Sequence, residues 1–293
     1  MLTPHGRPKL GLLIGGPLLF QVAWIWLPLV ASIALSLTDW SGVGGAADIR
    51  FVGLDNYVAL ASVEPSFGPA IAHNLVWLAA FLLGAMPLGI LFAVLLDREI
   101  RGGWFYESVF YLPVVLSMAV IGLIWELQYR PDDGLINSVL GTNQPGNLVD
   151  WLGDRTLNLG AVIVAAAWRH VGYVMLLYLA GLRGVDPTLR EAAAIDGAGE
   201  ADTFRRVVFP VLRPINVVVI VVTAIEAIRA FDIVYVINRG LNGLETVAVF
   251  VVNSLLGEAS RIGVGSAAAT ILVLASVVPI SVFIRTALRG DRS

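Results

Sequence analysis

Six long apolar stretches run through the sequence, and they constrain its fold more than any other feature. Each is long enough, at roughly 20 residues, for one α-helix to cross the hydrocarbon core of a membrane. The stretches cover residues 10–37, 74–96, 108–125, 157–182, 215–237 and 262–284. The sequence therefore predicts an all-α, polytopic membrane protein with six transmembrane helices.

The composition supports a membrane protein and excludes several soluble classes. Charged residues make up 14% of the chain, well below the roughly 25% of soluble domains. The net charge of −3 and the lack of a basic tract exclude nucleic-acid binding. With no cysteine and three widely separated histidines, we expect no disulfide and no metal site. The only lysine, Lys9, lies outside any phosphate-binding loop, so we expect no cofactor and no ATP hydrolysis in this chain.

The distribution of positive charge along the chain predicts its orientation. Of the 19 Lys and Arg residues, 12 lie on the side of the two termini and 5 in the opposite loops, while Arg169 and Arg229 lie within spans. Positive residues are enriched in cytoplasmic loops. We therefore expect both termini and the loop 183–214 to face the cytoplasm, and Gly134 and Asn242 to lie outside.

The loop 183–214 carries the most specific pattern in the sequence. Asp186 followed by Pro187 is a favourable helix start, and Gly197 is a favourable helix end. The pattern predicts a cytoplasmic helix of about three turns. Its small alanine side chains would let the surface of another protein approach closely.

This loop resembles the coupling motif of permease subunits of ATP-binding-cassette importers, especially the maltose-type, binding-protein-dependent sugar permeases. In that motif Glu-Ala-Ala is followed after three residues by Gly, and after nine more by Ile-x-Leu-Pro. The matching residues here, with Val and Phe for Ile and Leu, are Glu191, Ala192, Ala193, Gly197, Val207, Phe209 and Pro210. Segments 51–57, 110–113, 134–137 and 231–235 also resemble the family. Segment 238–243 departs from it, because it replaces a Gly-Gly-Gly-Pro run.

The resemblance implies a single permease domain over residues 1–293 that works by alternating access in a bacterial or archaeal plasma membrane. It implies a second homologous permease, two ATPase subunits that bind ATP and Mg, and an extracytoplasmic sugar-binding protein as partners. It also implies that the predicted loop helix is a coupling helix that docks on an ATPase subunit. The residues that it assigns to this coupling are Glu191, Ala192, Ala193, Asp196, Gly197 and Pro210.

Ionisable residues within the predicted spans indicate a polar pathway. A charge at the bilayer centre costs about 2.5–3.5 kcal/mol, so these residues should face protein or water. Glu226, Arg229 and Asp232 follow at intervals of three residues, which predicts one spiral stripe on the fifth span. Together with nearby polar and aromatic residues that could hold a sugar, they form the predicted substrate pathway. Its members are Arg169, Tyr173, Glu226, Arg229, Asp232, Tyr235 and Asn238.

Several alternatives stay open at this point. Glu226 and Arg229 could simply neutralise each other, and Asp232 could pair with Arg169 or Arg229. The transported solute could be an amino acid, a phosphate ester or a polyamine instead of a sugar. An intramembrane enzyme would need a catalytic pair within the spans, and a channel or secondary transporter would show paired discontinuous helices. The sequence does not identify the sugar.

Overall fold

The computed structural model describes residues 15–45, 48–98, 101–257 and 260–290. The predicted first span begins at residue 10, so its first five residues lie outside the described part, as does the C-terminal Ser293. The described residues form two compact units. One comprises those between 15 and 65 together with those between 250 and 271, and the other comprises those between 66 and 249 together with 272–290.

The structure is helical throughout, with one isolated antiparallel bridge between Thr38 and Phe51 in the described residues. The helices are α1 Gly15–Leu35, α2 Asp55–Ser62, α3 Phe67–Leu96, α4 Gly103–Val115, α5 Met118–Gln128, α6 Leu135–Leu140, α7 Asn158–Arg183, α8 Pro187–Ile195, α9 Glu200–Val211, α10 Arg213–Ile228, α11 Asp232–Asn238, α12 Val247–Leu256 and α13 Ile262–Gly290. The predicted all-α fold is confirmed.

Four helices, α1, α3, α7 and α13, are long and apolar enough to cross a membrane by themselves. Two further candidates are pairs of helices joined by a sharp bend, so the described residues hold up to six spans when each pair counts as one. The prediction of a polytopic membrane protein is thus confirmed. The two bent pairs cover residues 103–128 and 200–238, which include the predicted third and fifth spans.

The predicted third span is not one continuous helix. It is α4 followed by α5, and the two axes differ by 105°. Leu116 and Ser117 between them have extended backbone, and the Ser117 side chain accepts a hydrogen bond from the N–H of Val120 at 3.3 Å. Because a serine in this conformation is a favourable N-cap, the chain starts a new helix here instead of extending α4.

The predicted fifth span is also interrupted. It is entered from α9 through a bend of 77°, and α10 ends at Ile228, four residues before α11 starts. Arg229 and Phe231 have non-helical backbone angles. The predicted spiral stripe on a single helix is therefore wrong, since Glu226 lies on α10, Arg229 in the break, and Asp232 at the start of α11.

Within the second unit, α7 is the most buried helix, and α3 and α4 pack along it. Gly89 of α3 makes one of these contacts possible, because a Cβ there would lie 2.6 Å from the Cβ of Val174. Two apolar clusters fill this unit. The largest fully buried side chains are Trp77, Phe81, Ile121, Val162, Ile233 and Leu244 in one cluster, and Val174, Met175, Tyr178 and Val219 in the other.

The first unit is held together by backbone-directed hydrogen bonds. The side-chain amide of Asn56 on α2 donates to the carbonyls of Ser36 at 2.8 Å and Thr38 at 2.7 Å. Arg261 pairs with Glu64. The first contacts fix α2 against the segment that follows α1, and the ion pair joins the segment after α2 to the residue that precedes α13.

Candidate functional site

The predicted coupling helix is present as α8. The carboxylate of Asp186 accepts a hydrogen bond from the N–H of Thr188 at 2.9 Å, and this bond lowers the pKa of Asp186. Pro187 occupies the first helical position, as predicted. Gly197 follows the helix with φ of +78°, a conformation that side chains other than glycine rarely adopt. The sequence signals for the start and the end of this helix are both confirmed.

One face of α8 packs on the rest of the protein, and the opposite face is exposed to solvent. Ala193 is 7% exposed, whereas Glu191, Ala192 and Asp196 are exposed. Ile195, which is 86% exposed, adds a large apolar side chain to the same outward surface. The end of the motif is on α9, where Val208 is buried and Pro210 is exposed. An outward face that combines small, apolar and acidic groups suits a protein partner.

The second candidate site is a pocket of about 290 Å³ within the second unit, next to the break between α10 and α11. It combines four charged side chains with aromatic and apolar ones. Its lining residues are Trp77, Phe81, Met118, Arg169, Ile225, Glu226, Arg229, Ala230, Phe231, Asp232 and Ile233. Four of the seven predicted pathway residues are thus brought together in one pocket.

Glu226 is the centre of a network between α7 and α10. One carboxylate oxygen accepts from Arg169 at 3.2 Å, and the other lies 2.9 Å from Nδ1 of His170. Nε2 of His170 lies 2.9 Å from the hydroxyl of Thr223. In the neutral imidazole, Nδ1–H donates to Glu226 and Nε2 accepts the hydroxyl proton of Thr223. The alternative in which Glu226 and Arg229 neutralise each other is not observed, because both carboxylate oxygens contact residues of α7.

Nε of Arg169 lacks a hydrogen-bond partner among the residues that the structure describes, although Nη1 of the same side chain pairs with Glu226. Arg229 and Asp232 are the charged side chains of the pocket that have no partner at all in the described residues. Neither side chain has a hydrogen bond or an ion pair within the described part of the chain. The expected pairing of Asp232 with Arg169 or Arg229 is therefore absent from these residues. Because Arg229 lies outside the regular turns of α10, the three-residue spacing does not bring it next to Glu226. The pocket thus presents a free guanidinium and a free carboxylate beside aromatic rings.

The other three predicted pathway residues do not line this pocket. Tyr173 lies on α7 with its ring centre 6.2 Å from that of His170. Tyr235 stacks on Phe231 at 5.0 Å. The side chain of Asn238 closes the turn after α11, since it donates to the carbonyl of Leu241 at 2.9 Å. Their assignment to the pathway stays a prediction.

His170, which was not among the predicted site residues, is fully buried and stacks on Phe81 with ring centres 4.4 Å apart. The wide separation of the three histidines in the sequence excluded a metal site, but it gave no role for His170. A signal was nevertheless present. His170 directly follows the intramembrane Arg169 in an apolar helix, where a polar residue needs a partner on a neighbouring helix.

The sequence of this chain is similar to a family of membrane transport proteins. The family profile described as "Binding-protein-dependent transport system inner membrane component" matches residues 85–290. This range contains the loop with α8 and all four charged residues of the pocket, whereas the pocket residues Trp77 and Phe81 precede it.

Two curated relatives and one solved structure are similar over most of their length. The xylose/arabinose import permease protein of Haloferax volcanii is 35% identical over 75% of this chain and 70% of its own. The trehalose/maltose transport system permease protein of Thermococcus litoralis is 30% identical over 90% of this chain and 88% of its own. A crystal structure of a bacterial alginate ABC transporter, in complex with an alginate pentasaccharide-bound periplasmic protein, has a chain with a TM-score of 0.80 and 18% identity over 98% of both chains.

Proposed function

The chain belongs to the family of inner-membrane components of binding-protein-dependent transport systems, and from this premise we propose that it is the permease subunit of an ATP-driven sugar importer. The pocket beside the break between α10 and α11 is the observation that carries the proposal. A free guanidinium and a free carboxylate next to aromatic rings can hydrogen-bond the hydroxyl groups of a sugar and stack on its apolar face. Relatives named for pentose and disaccharide import support the same substrate class.

The proposed partners follow from the family and from the exposed face of α8. A binding protein outside the membrane delivers the sugar, and the family's dependence on a binding protein supports this partner. ATP and Mg bind to two ATPase subunits, one of which contacts α8, and a second homologous permease completes the pathway. In this assignment the chain performs no covalent chemistry, and the energy of ATP hydrolysis reaches it mechanically.

Uptake by the reconstituted complex tests the proposed function. The chain is purified with its ATPase subunits, placed in proteoliposomes with its binding protein, and assayed against a panel of pentoses, hexoses and disaccharides, with amino acids and phosphate esters as competitors. We expect ATP hydrolysis and uptake to be stimulated by one class of sugar. Stimulation by an amino acid or a phosphate ester, with none by any sugar, would contradict the substrate class.

The proposed orientation is tested by single cysteines. Because the chain has no native cysteine, Gly134→Cys, Asn242→Cys and Gly197→Cys each carry one label site. With six spans and cytoplasmic termini, an impermeant thiol reagent added to intact cells should label positions 134 and 242, and position 197 only after permeabilisation. Labelling of position 197 in intact cells would overturn this orientation.

Asp232 should contribute directly to sugar passage. Its carboxylate lines the pocket without an ion-pair partner in the described residues. Asp232→Asn keeps the shape and hydrogen bonding and should retain part of the uptake. Asp232→Leu should lower uptake about tenfold or more, since a hydrogen bond involving a charge contributes about 1.5–3 kcal/mol. Asp132→Leu on an exposed outer segment is the matched control. Normal uptake by a fully assembled Asp232→Leu complex would remove Asp232 from the pathway.

A further inference from the structure

Arg190 lies on α8 beside the coupling residue Glu191, but its side chain points into the protein. Nη1 donates to Oδ2 of Asp97 at 2.7 Å, and Nη2 donates to the carbonyl of Leu182 at 3.3 Å. The Asp97 side chain is only 12% exposed and that of Arg190 is 39% exposed. The pair is therefore less exposed to solvent than the other ion pairs around this loop.

The two acceptors of Arg190 belong to the ends of two different candidate spans. Asp97 is the residue directly after α3, and Leu182 lies in the last turn of α7. A guanidinium with donors in a rigid planar fork fixes the direction as well as the distance of its partners. One side chain thus connects α8 to the ends of α3 and α7.

The space next to this contact is only partly filled. A cavity of about 270 Å³ lies between α8, α9 and the ends of α3 and α7, and Arg190 and Asp97 are part of its wall. A second ion pair, Arg98 with Glu200 at 2.6 Å, crosses the same region, but both of its side chains are more than half exposed. Where packing leaves a cavity, displacement is transmitted through the remaining contacts, and Arg190 with Asp97 is the less exposed of the two ion pairs among them.

We propose that Arg190 is the positioning residue that transmits movement of α8 to α3 and α7, through its hydrogen bonds to Asp97 and Leu182. The inference rests on the proposed coupling of α8 to an ATPase subunit. It goes beyond that coupling, because it names the contact by which the displacement leaves the helix and enters two membrane spans.

The proposal predicts a specific uncoupling. In the reconstituted complex, Arg190→Ala should leave α8 able to engage the ATPase, so ATP hydrolysis persists. The amount of sugar imported per ATP hydrolysed should fall about tenfold, because a charge-assisted hydrogen bond contributes at least one decade to an equilibrium constant. Asp97→Ala should have the same effect. The double variant should be no worse than either single variant, since both remove one shared contact.

Arg206→Ala is the matched control in the same loop. Arg206 pairs with Asp202 at 3.2 Å, but that pair lies within one helical segment and both side chains are more than half exposed. We expect the amount of sugar imported per ATP hydrolysed to be unchanged in the Arg206→Ala complex. Arg190→Lys keeps the charge but not the planar fork, and should give an intermediate ratio. It replaces Arg190→Ala as the deciding variant if the alanine protein does not assemble.

The outcomes separate this inference from the proposed function. A normal import-to-hydrolysis ratio in assembled Arg190→Ala and Asp97→Ala complexes, or in the lysine variant when it decides, would overturn the role of Arg190. The role of Arg190 would also be overturned if the losses of this ratio in the two single variants multiplied in the double variant. If the wild-type complex neither imports sugar nor hydrolyses ATP in response to it, the proposed function fails first.

Discussion

Replacing Gly197 by leucine is expected to abolish sugar-stimulated ATP hydrolysis and uptake. Gly197 has φ of +78°, and the chain turns there from α8 towards α9. A leucine in this conformation is strained by about 1–2 kcal/mol, and its side chain would project from the end of the surface that we propose to contact the ATPase. The measurement is ATPase activity and uptake by the reconstituted complex, at equal amounts of assembled protein.

Gly199 provides a matched control two residues further on. It has an ordinary negative φ of −73° and open space around its Cβ position, so Gly199→Leu should fold normally. Gly197→Asn should recover part of the activity, because asparagine tolerates the left-handed conformation better than leucine does. Full stimulated turnover in an assembled Gly197→Leu complex would refute the coupling role of this turn.

Replacing Glu226 by leucine is expected to lower the amount of folded, assembled protein more than any other change in the pocket. The substitution leaves Arg169 and His170 on α7 without the carboxylate that both of them contact. Removing one partner of a buried ion pair costs about 3–5 kcal/mol. The lower end of this range applies here, because the side chains of Arg169 and Glu226 are both partly exposed. Thermal stability in detergent and the yield of co-purified complex measure the effect.

The double variant Arg169→Leu with Glu226→Leu separates structure from transport. It removes both members of the ion pair, so stability should recover relative to Glu226→Leu alone. Uptake should stay low if the pair also lines the substrate pathway. An exposed control, Arg206→Leu, should change stability by less than about 1 kcal/mol. Equal stability of wild-type and Glu226→Leu complexes would show that the network has no structural role.

The sequence predicted the helical architecture and α8 well, because both depend on local signals. Apolar length marks a span, and α8 starts at Asp186 and Pro187 and ends before Gly197, as their intrinsic preferences require. The helix breaks were not predicted. Ser117 and the residues around Arg229 lie within apolar stretches, where hydropathy does not distinguish a continuous helix from two short ones.

The sequence predicted which charged residues share the pocket, but not which partners they bind. The cost of intramembrane charge correctly brought Arg169, Glu226, Arg229 and Asp232 to one pocket. The ion-pair partners of these residues depend on which helices face each other. The three-residue spacing within one segment does not show this. For the same reason His170 was missed, since its partners Glu226 and Thr223 lie on another helix.

The break between α4 and α5 has a consequence for the lifetime of the unassembled subunit. With 13 residues, α4 is about 20 Å long, shorter than the roughly 30 Å of a bilayer core, so the extended backbone at Leu116 falls at membrane depth. Peptide groups there are tolerated only beside protein or water, not beside lipid. Copies synthesised in excess of their partners should therefore be degraded faster than assembled ones, which would match the cellular abundance of this chain to that of its complex.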